Sequence, residues 1–246
     1  MLAPLLMLAL FVLEADIICG QSTKLEWLPD DMYNPLSEPR LCGLNTDEPA
    51  YICDPNKIIG DKIHSMNWHL KDAAYNSTSC PCSTYYCENE RGAVGYRIGV
   101  ALVRRMALQT NTDGRLNTPE DQAQLFAHRL GNGKWNMGRC EEDIVIFYSE
   151  EDKVLAIYGG STANQKLSPY YRALLRHKVG DRLNEGRIVQ ALDNLIYDIK
   201  KVLNCEYSTA YSCGLYEVRS GSNSITSSIT VFLSVITAAH FIFGRE

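Results

Sequence analysis

No run of basic residues longer than a pair occurs in this chain; Arg104-Arg105 and Lys200-Lys201 are the extent of it. With a net charge of -5 and an isoelectric point near 5.6, that argues against nucleic acid as a partner, because holding phosphates takes clustered Lys and Arg. Histidine is scarce as well. His64, His69, His128, His177 and His240 make no His-Glu-x-x-His motif of the kind that binds catalytic zinc. His64 and His69 stand about 140° apart around one helix and do not share a face. No Gly-x-Ser-x-Gly elbow is present, so nothing supports a nucleophilic triad on that pattern. Gly159-Gly160 lacks the lysine that a phosphate-binding loop needs at fixed spacing. There is no internal repeat.

Cysteine is plentiful. Of nine, Cys19 falls in an N-terminal apolar stretch. The other eight are Cys42, Cys53, Cys80, Cys82, Cys87, Cys140, Cys205 and Cys213. An even set in a secreted chain implies disulfides, with on the order of a hundred connectivities open. Cys80-Pro81-Cys82 followed by Cys87 also admits a zinc knuckle, although structural zinc sites favour two well-separated cysteine pairs. Asn76-Ser77-Thr78 is an N-glycosylation sequon in a polar loop.

Both ends are apolar. Leu2 to Leu13 is too short to span a bilayer and reads as the core of a signal peptide covering residues 1–20, despite Glu14 and Asp16 close to the cut. Residues 225–243 are uncharged apart from His240, just long enough to span as a helix. Upstream lies Ser220-Gly221-Ser222-Asn223-Ser224, and only one Arg follows the segment. Small residues, a spacer and a terminal apolar tail make the glycolipid-anchor pattern, whereas a stop-transfer helix carries several flanking cations. The anchor is favoured over a single-pass helix. Either way the domain is expected at the cell surface, outside the plasma membrane, after entry through the secretory pathway.

Between the ends, residues 21–50 are proline-rich and read as an irregular lead-in, 51–213 as one folded domain and 214–224 as a linker. Asp54-Pro55 reads as a helix cap with proline in the first position, opening an amphipathic helix from Asp54 or Asp61 to about Tyr75. Val94 to Val103 reads as a strand. Thr118-Pro119-Glu120-Asp121 starts a helix that stops at Gly131. Ile144–Tyr148 and Val154–Tyr158 are apolar on consecutive residues and flank Ser149-Glu150-Glu151-Asp152-Lys153. That is a β-hairpin covered on both faces. Ser168-Pro169 opens a helix ending at Gly180, and Asn184 caps the longest helix, with Ile188, Leu192, Leu195, Ile199 and Val202 as its stripe. Strand, helix and covered hairpin in this order predict an α/β layer, the first strand parallel to its neighbour across a right-handed crossover.

This pattern resembles the TPM domain. The residues that carry the resemblance are Ile52-Cys53-Asp54-Pro55 with Ile58-Ile59 ahead of a helix, strand Arg97–Val103, the Gly131-to-Gly138 turn with its tryptophan, and the hairpin ending in Gly-Gly. The cysteines and the membrane tether resemble the family's nematode branch, the levamisole-receptor modulators. The resemblance runs from about Cys42 to Leu203. It implies a three-layer α/β/α sandwich on a small mixed sheet, here disulfide-stabilised. It also implies an extracellular auxiliary protein whose partner is a cys-loop acetylcholine receptor or another membrane protein, with the C-terminal segment attached to the membrane.

Other branches of the family are described as phosphatase-like, which leaves a second expectation: an extracellular hydrolase using a divalent cation. Its metal ligands would be Asp54, Glu142 and Asp143, beside Glu141, holding calcium or magnesium through oxygen. Gly159 to Thr162 would offer amides to an anion. Against it stand ordinary structural roles: a cap for Asp54, a solvated face for Glu141 to Asp143. This chain also has Cys140-Glu141-Glu142-Asp143 where the family carries an Asp-Asn-Gly type sequence. The non-enzymatic reading, with no cofactor required, is preferred. Tyr85-Tyr86 and Tyr170-Tyr171 are the candidate contact aromatics.

Overall fold

The computed structural model describes residues 24–89, 94–206 and 209–215. The expected signal peptide and C-terminal segment lie outside them, as does all of the expected linker past Leu215. Among the described residues no helix is long and apolar enough to cross a membrane.

A four-stranded mixed sheet organises the chain: β2 (Ile52–Cys53), β3 (Arg97–Val103), β5 (Asp143–Ser149) and β6 (Val154–Gly159), in that spatial order. A second pair joins β1 (Glu26–Trp27) to β4 (Arg105–Met106). Strands β2, β3 and β5 run parallel, and β6 returns antiparallel. Every residue of β5 is buried. Successive side chains of a strand point to opposite faces, so helices must cover both. On one side α3 (Pro119–Arg129) stacks Phe126 on Phe147 with ring centroids 4.1 Å apart. The remaining helices are α1 (Ile63–Asp72), the short α2 (Thr84–Asn89), α4 (Ser161–Lys166), α5 (Pro169–Asn184) and α6 (Ile188–Asn204). The fold is the α/β architecture expected, a small mixed sheet between helices.

The acidic hairpin turn has a structural task. Asp152 accepts from the Met106 amide at 2.8 Å and from the Ser149 hydroxyl, and Glu151 pairs with Arg105. These contacts hold β4 against the hairpin. Lys153 takes a left-handed φ of 56° to close the turn.

Several local expectations are corrected. Asp54 does not cap a helix: its carboxylate accepts from the Ile58 and Ile59 amides, both at 2.9 Å, and closes a loop. Of the two expected starts the helix takes the later one, near Asp61, through a 3-10 turn at Gly60–Lys62. Helix α5 does not stop at Gly180 but runs on to Asn184, because Tyr171, Leu175, Val179 and Leu183 keep one buried stripe through it. Burying that stripe outweighs the roughly 1 kcal/mol that an interior glycine costs. Asn184 therefore ends α5, and the turn into α6 passes through Gly186 at φ 76°. Residues 24–50 lack periodicity yet place Trp27, Met32 and Leu44 in the common core.

The zinc knuckle is not formed. The cysteines pair as Cys42–Cys53, Cys80–Cys87, Cys82–Cys140 and Cys205–Cys213. Cys82–Cys140 ties the entrance of β5 to the loop after α1, across 58 residues of sequence.

Candidate functional site

Asp54 follows β2 at the carboxyl end of the parallel strands, one residue past the Cys53–Ala101 pair. Asp143 begins β5, opposite Arg97 at the amino end of β3. Five residues of strand separate the two levels, roughly 16 Å at the usual rise. The three expected ligands therefore cannot share an ion. Asp54 drops out, and Glu142 and Asp143 remain together at the entrance of β5.

There the acidic residues divide their work. Glu141, at a left-handed φ of 61°, turns back to the start of α4. Its carboxylate accepts from the Ser161 amide at 3.2 Å and from the Ser161 hydroxyl. Those bonds hold its pKa below the ordinary carboxylate value. One of the amides expected to meet a foreign anion, that of Ser161, thus meets one supplied by the chain, and that of Gly160 goes to the Asp143 carbonyl. The Thr162 hydroxyl donates to the Cys140 carbonyl in the same corner.

Glu142 is buried and accepts from the Arg139 and Cys140 amides, both at 2.8 Å. Its other oxygen lies 3.8 Å from Arg97 Nε, and Arg97 also donates to the Met137 carbonyl. Asp143 is buried with one oxygen lacking any hydrogen-bond partner. Burial and the neighbouring Glu142 and Glu141 charges push its pKa up to about 6, against the lowering from its own backbone amide and from Arg97. Gly138 makes this corner possible: a Cβ there would lie 2.8 Å from both the Glu142 and Asp143 carboxylates.

This donor set does not fit a divalent cation. Glu142 already accepts two amides and has Arg97 Nε 3.8 Å from its other oxygen. Among the described residues the grouping at metal-ligand spacing is Cys82, Cys140 and Glu142, and its two sulfurs are bonded to each other.

Beside the corner, α2 carries Tyr85 and Tyr86, which are 72% and 46% exposed with rings 6.0 Å apart edge to face. Cys80–Cys87 closes the turn around this helix and Cys82–Cys140 fastens it to β5. Tyr86, Arg97, Arg139 and Glu142 line one small recess. The Tyr170-Tyr171 pair splits instead: Tyr170 is exposed, while Tyr171 is buried with its hydroxyl 3.7 Å from Cys213 Sγ.

A second aromatic surface was not anticipated. Trp68 on α1 and Tyr197 on α6 are 65% and 59% exposed and line one open cleft of about 360 Å3. Two further clefts, of about 580 and 520 Å3, flank Tyr197, and Lys201 Nζ sits 4.5 Å from its ring centre. Trp68 sits among apolar and polar helix residues, and periodicity alone does not separate an exposed ring from a core one.

A model of the family described as modulator of levamisole receptor-1 matches residues 24–153, more than half of the chain. Among solved structures, the chain is similar to the N-terminal domain of a protein from P. gingivalis, with 10% identity, 73% of this chain and 92% of that one covered and a TM-score of 0.47. It is also similar to the BA42 protein of the psychrophilic bacterium Bizionia argentinensis, with 17% identity, 61% and 79% coverage and a TM-score of 0.39. A search of curated proteins finds no match.

Proposed function

The chain belongs to the modulator of levamisole receptor-1 family, and from that premise we propose that it is an extracellular, membrane-tethered auxiliary protein. It binds an acetylcholine-gated, levamisole-sensitive channel and tunes its response without turning over a substrate. The family match over residues 24–153, which hold three of the sheet's four strands and three of the four disulfides, carries this reading. Four disulfides suit an oxidising compartment, and the apolar segment at 225–243 supplies the attachment to the membrane.

The channel contacts the Tyr85-Tyr86 end. Aromatic side chains dominate binding where they are exposed, rigid and cheap to order. Here two disulfides hold a short helix that presents both rings. Glu141 and Glu142 beneath it are engaged in holding the backbone, so this end acts as a rigid contact and not as a reaction centre.

Coexpression with levamisole-sensitive channels tests the function. The expected result is altered currents and co-purification with the channel, both weakened in a Tyr85→Ala/Tyr86→Ala variant that is still secreted. Unchanged currents without co-purification would sink the reading. Release from intact cells by a phosphatidylinositol-specific phospholipase identifies the tether as a lipid anchor, and retention identifies it as a helix.

A further inference from the structure

We propose that the open face between α1 and α6 seats this protein's own N-glycan, carried on Asn76, with its first sugars lying against Trp68 and Tyr197. The inference rests on the extracellular reading, because the sequon is modified only in the secretory pathway. The bond joins Asn76 Nδ2 to C1 of the first N-acetylglucosamine. One amide proton is lost, and the lipid pyrophosphate that carried the oligosaccharide leaves.

The attachment atom is aimed at the cleft. Asn76 is exposed, and its Nδ2 donates to Asp72 Oδ1 at 3.4 Å. Asp72 lines the Trp68–Tyr197 cleft. Ser77, the next residue of the sequon, lines the adjoining cleft together with Tyr197 and Lys200. A wide π turn at Ala73–Ser77 ends α1 at this point. Asn76 is eight residues past Trp68, about 12 Å along a helix axis, which is within reach of the first few sugars.

The cleft also has the chemistry. A pyranose ring presents C–H groups on one face and hydroxyls around its rim. The first packs on aromatic rings, and the second needs donors and acceptors. Trp68 and Tyr197 offer the rings. Asp72, Asp193, Asn194 and Lys200 offer the polar rim. The cleft of about 360 Å3 falls in the size range of small-molecule sites, roughly 300–1,000 Å3. The glycan accounts for a tryptophan left 65% exposed beside a cleft that stands open among the described residues.

The test uses the full chain expressed in a secretory host. Of its three tryptophans, Trp27 and Trp135 are buried at 0% and 1% exposure, so iodide quenching of fluorescence reports Trp68. The glycosylated protein should be quenched roughly half as much as the same folded protein after enzymatic removal of the glycan, since a covered ring loses its contact with water. Asn76→Gln should behave like the deglycosylated protein. Trp68→Phe should remove the difference, which identifies the reporter.

Equal quenching with and without the glycan would overturn the inference and leave the extracellular reading intact. A secreted, disulfide-bonded protein without a glycan on Asn76 also overturns it. A chain that never enters the secretory pathway overturns both. Loss of channel co-purification in Trp68→Ala, with Trp68 still quenchable in the glycosylated protein, assigns the face to the channel and rejects the glycan.

Discussion

The entrance of β5 and the outer face of α1 and α6 are opposite solutions to surface chemistry. At the entrance, Glu141, Glu142, Arg97, Gly138 and Cys140 close on one another, and most polar atoms find a partner within the corner. On the outer face Trp68 and Tyr197 stand in the open between clefts, and the charged side chains there pair across helices, as Lys200 does with Asp72 at 2.8 Å. The first region is built to be rigid and the second is left to be covered. A carboxylate cluster is therefore a poor guide to catalysis when its charge is already spent on the chain's own amides.

The largest expected effect is at the closed end. Glu142→Ala removes the carboxylate that lies 3.8 Å from Arg97 Nε and strands the Arg139 and Cys140 amides. Breaking a buried pair from one side costs about 3–5 kcal/mol, read from the shift of the urea midpoint. A loss below about 1 kcal/mol, the scale of an exposed ion pair, would mean that the corner is open to water like the outer face.

The next is a pH dependence. Asp143 has a folded pKa pushed up to about 6, against an unfolded value near 4. Between about pH 4 and pH 6 the folded chain holds a proton that the unfolded chain has lost. Stability from this group is thus fully present below pH 4 and is lost as pH rises through 6. Two units correspond to roughly 2–3 kcal/mol. Asp143→Asn should flatten that slope in denaturation curves recorded across the window, and an unchanged slope places the titration elsewhere.

The smallest effect is on the open face. In protein freed of glycan, Trp68→Ala should shift stability by less than about 0.5 kcal/mol, as for a largely exposed side chain whose ring meets the edge of an exposed neighbour, His69. A larger loss there, measured by the same urea titration, would mean that the ring is already packed and that the two regions are less different than their geometry indicates.

How far these regions could be read in advance differs for physical reasons. The hairpin was legible because Ile144–Tyr148 and Val154–Tyr158 are apolar on every residue, and only a strand buried on both faces requires that. The parallel pairing of Arg97–Val103 followed from a helix lying between it and the hairpin. The two-residue strands β1, β2 and β4 carry no period to detect. The grouping of Asp54 with Asp143 failed because proximity to a strand says nothing about which end of the sheet a residue occupies. The Trp68–Tyr197 face was missed because two helices far apart in sequence form it together.

Composition, apolar periodicity and the cysteine count by themselves determined an α/β domain with disulfides, a covered central hairpin and an acidic approach to it. These are local properties, carried by neighbouring residues along the chain. Only the tertiary structure decided which cysteines pair, which carboxylates are spent and which aromatics stay in water. Each depends on residues such as Cys82 and Cys140, 58 positions apart, or Asp72 and Lys200, and only the folded sheet and its helices bring them together.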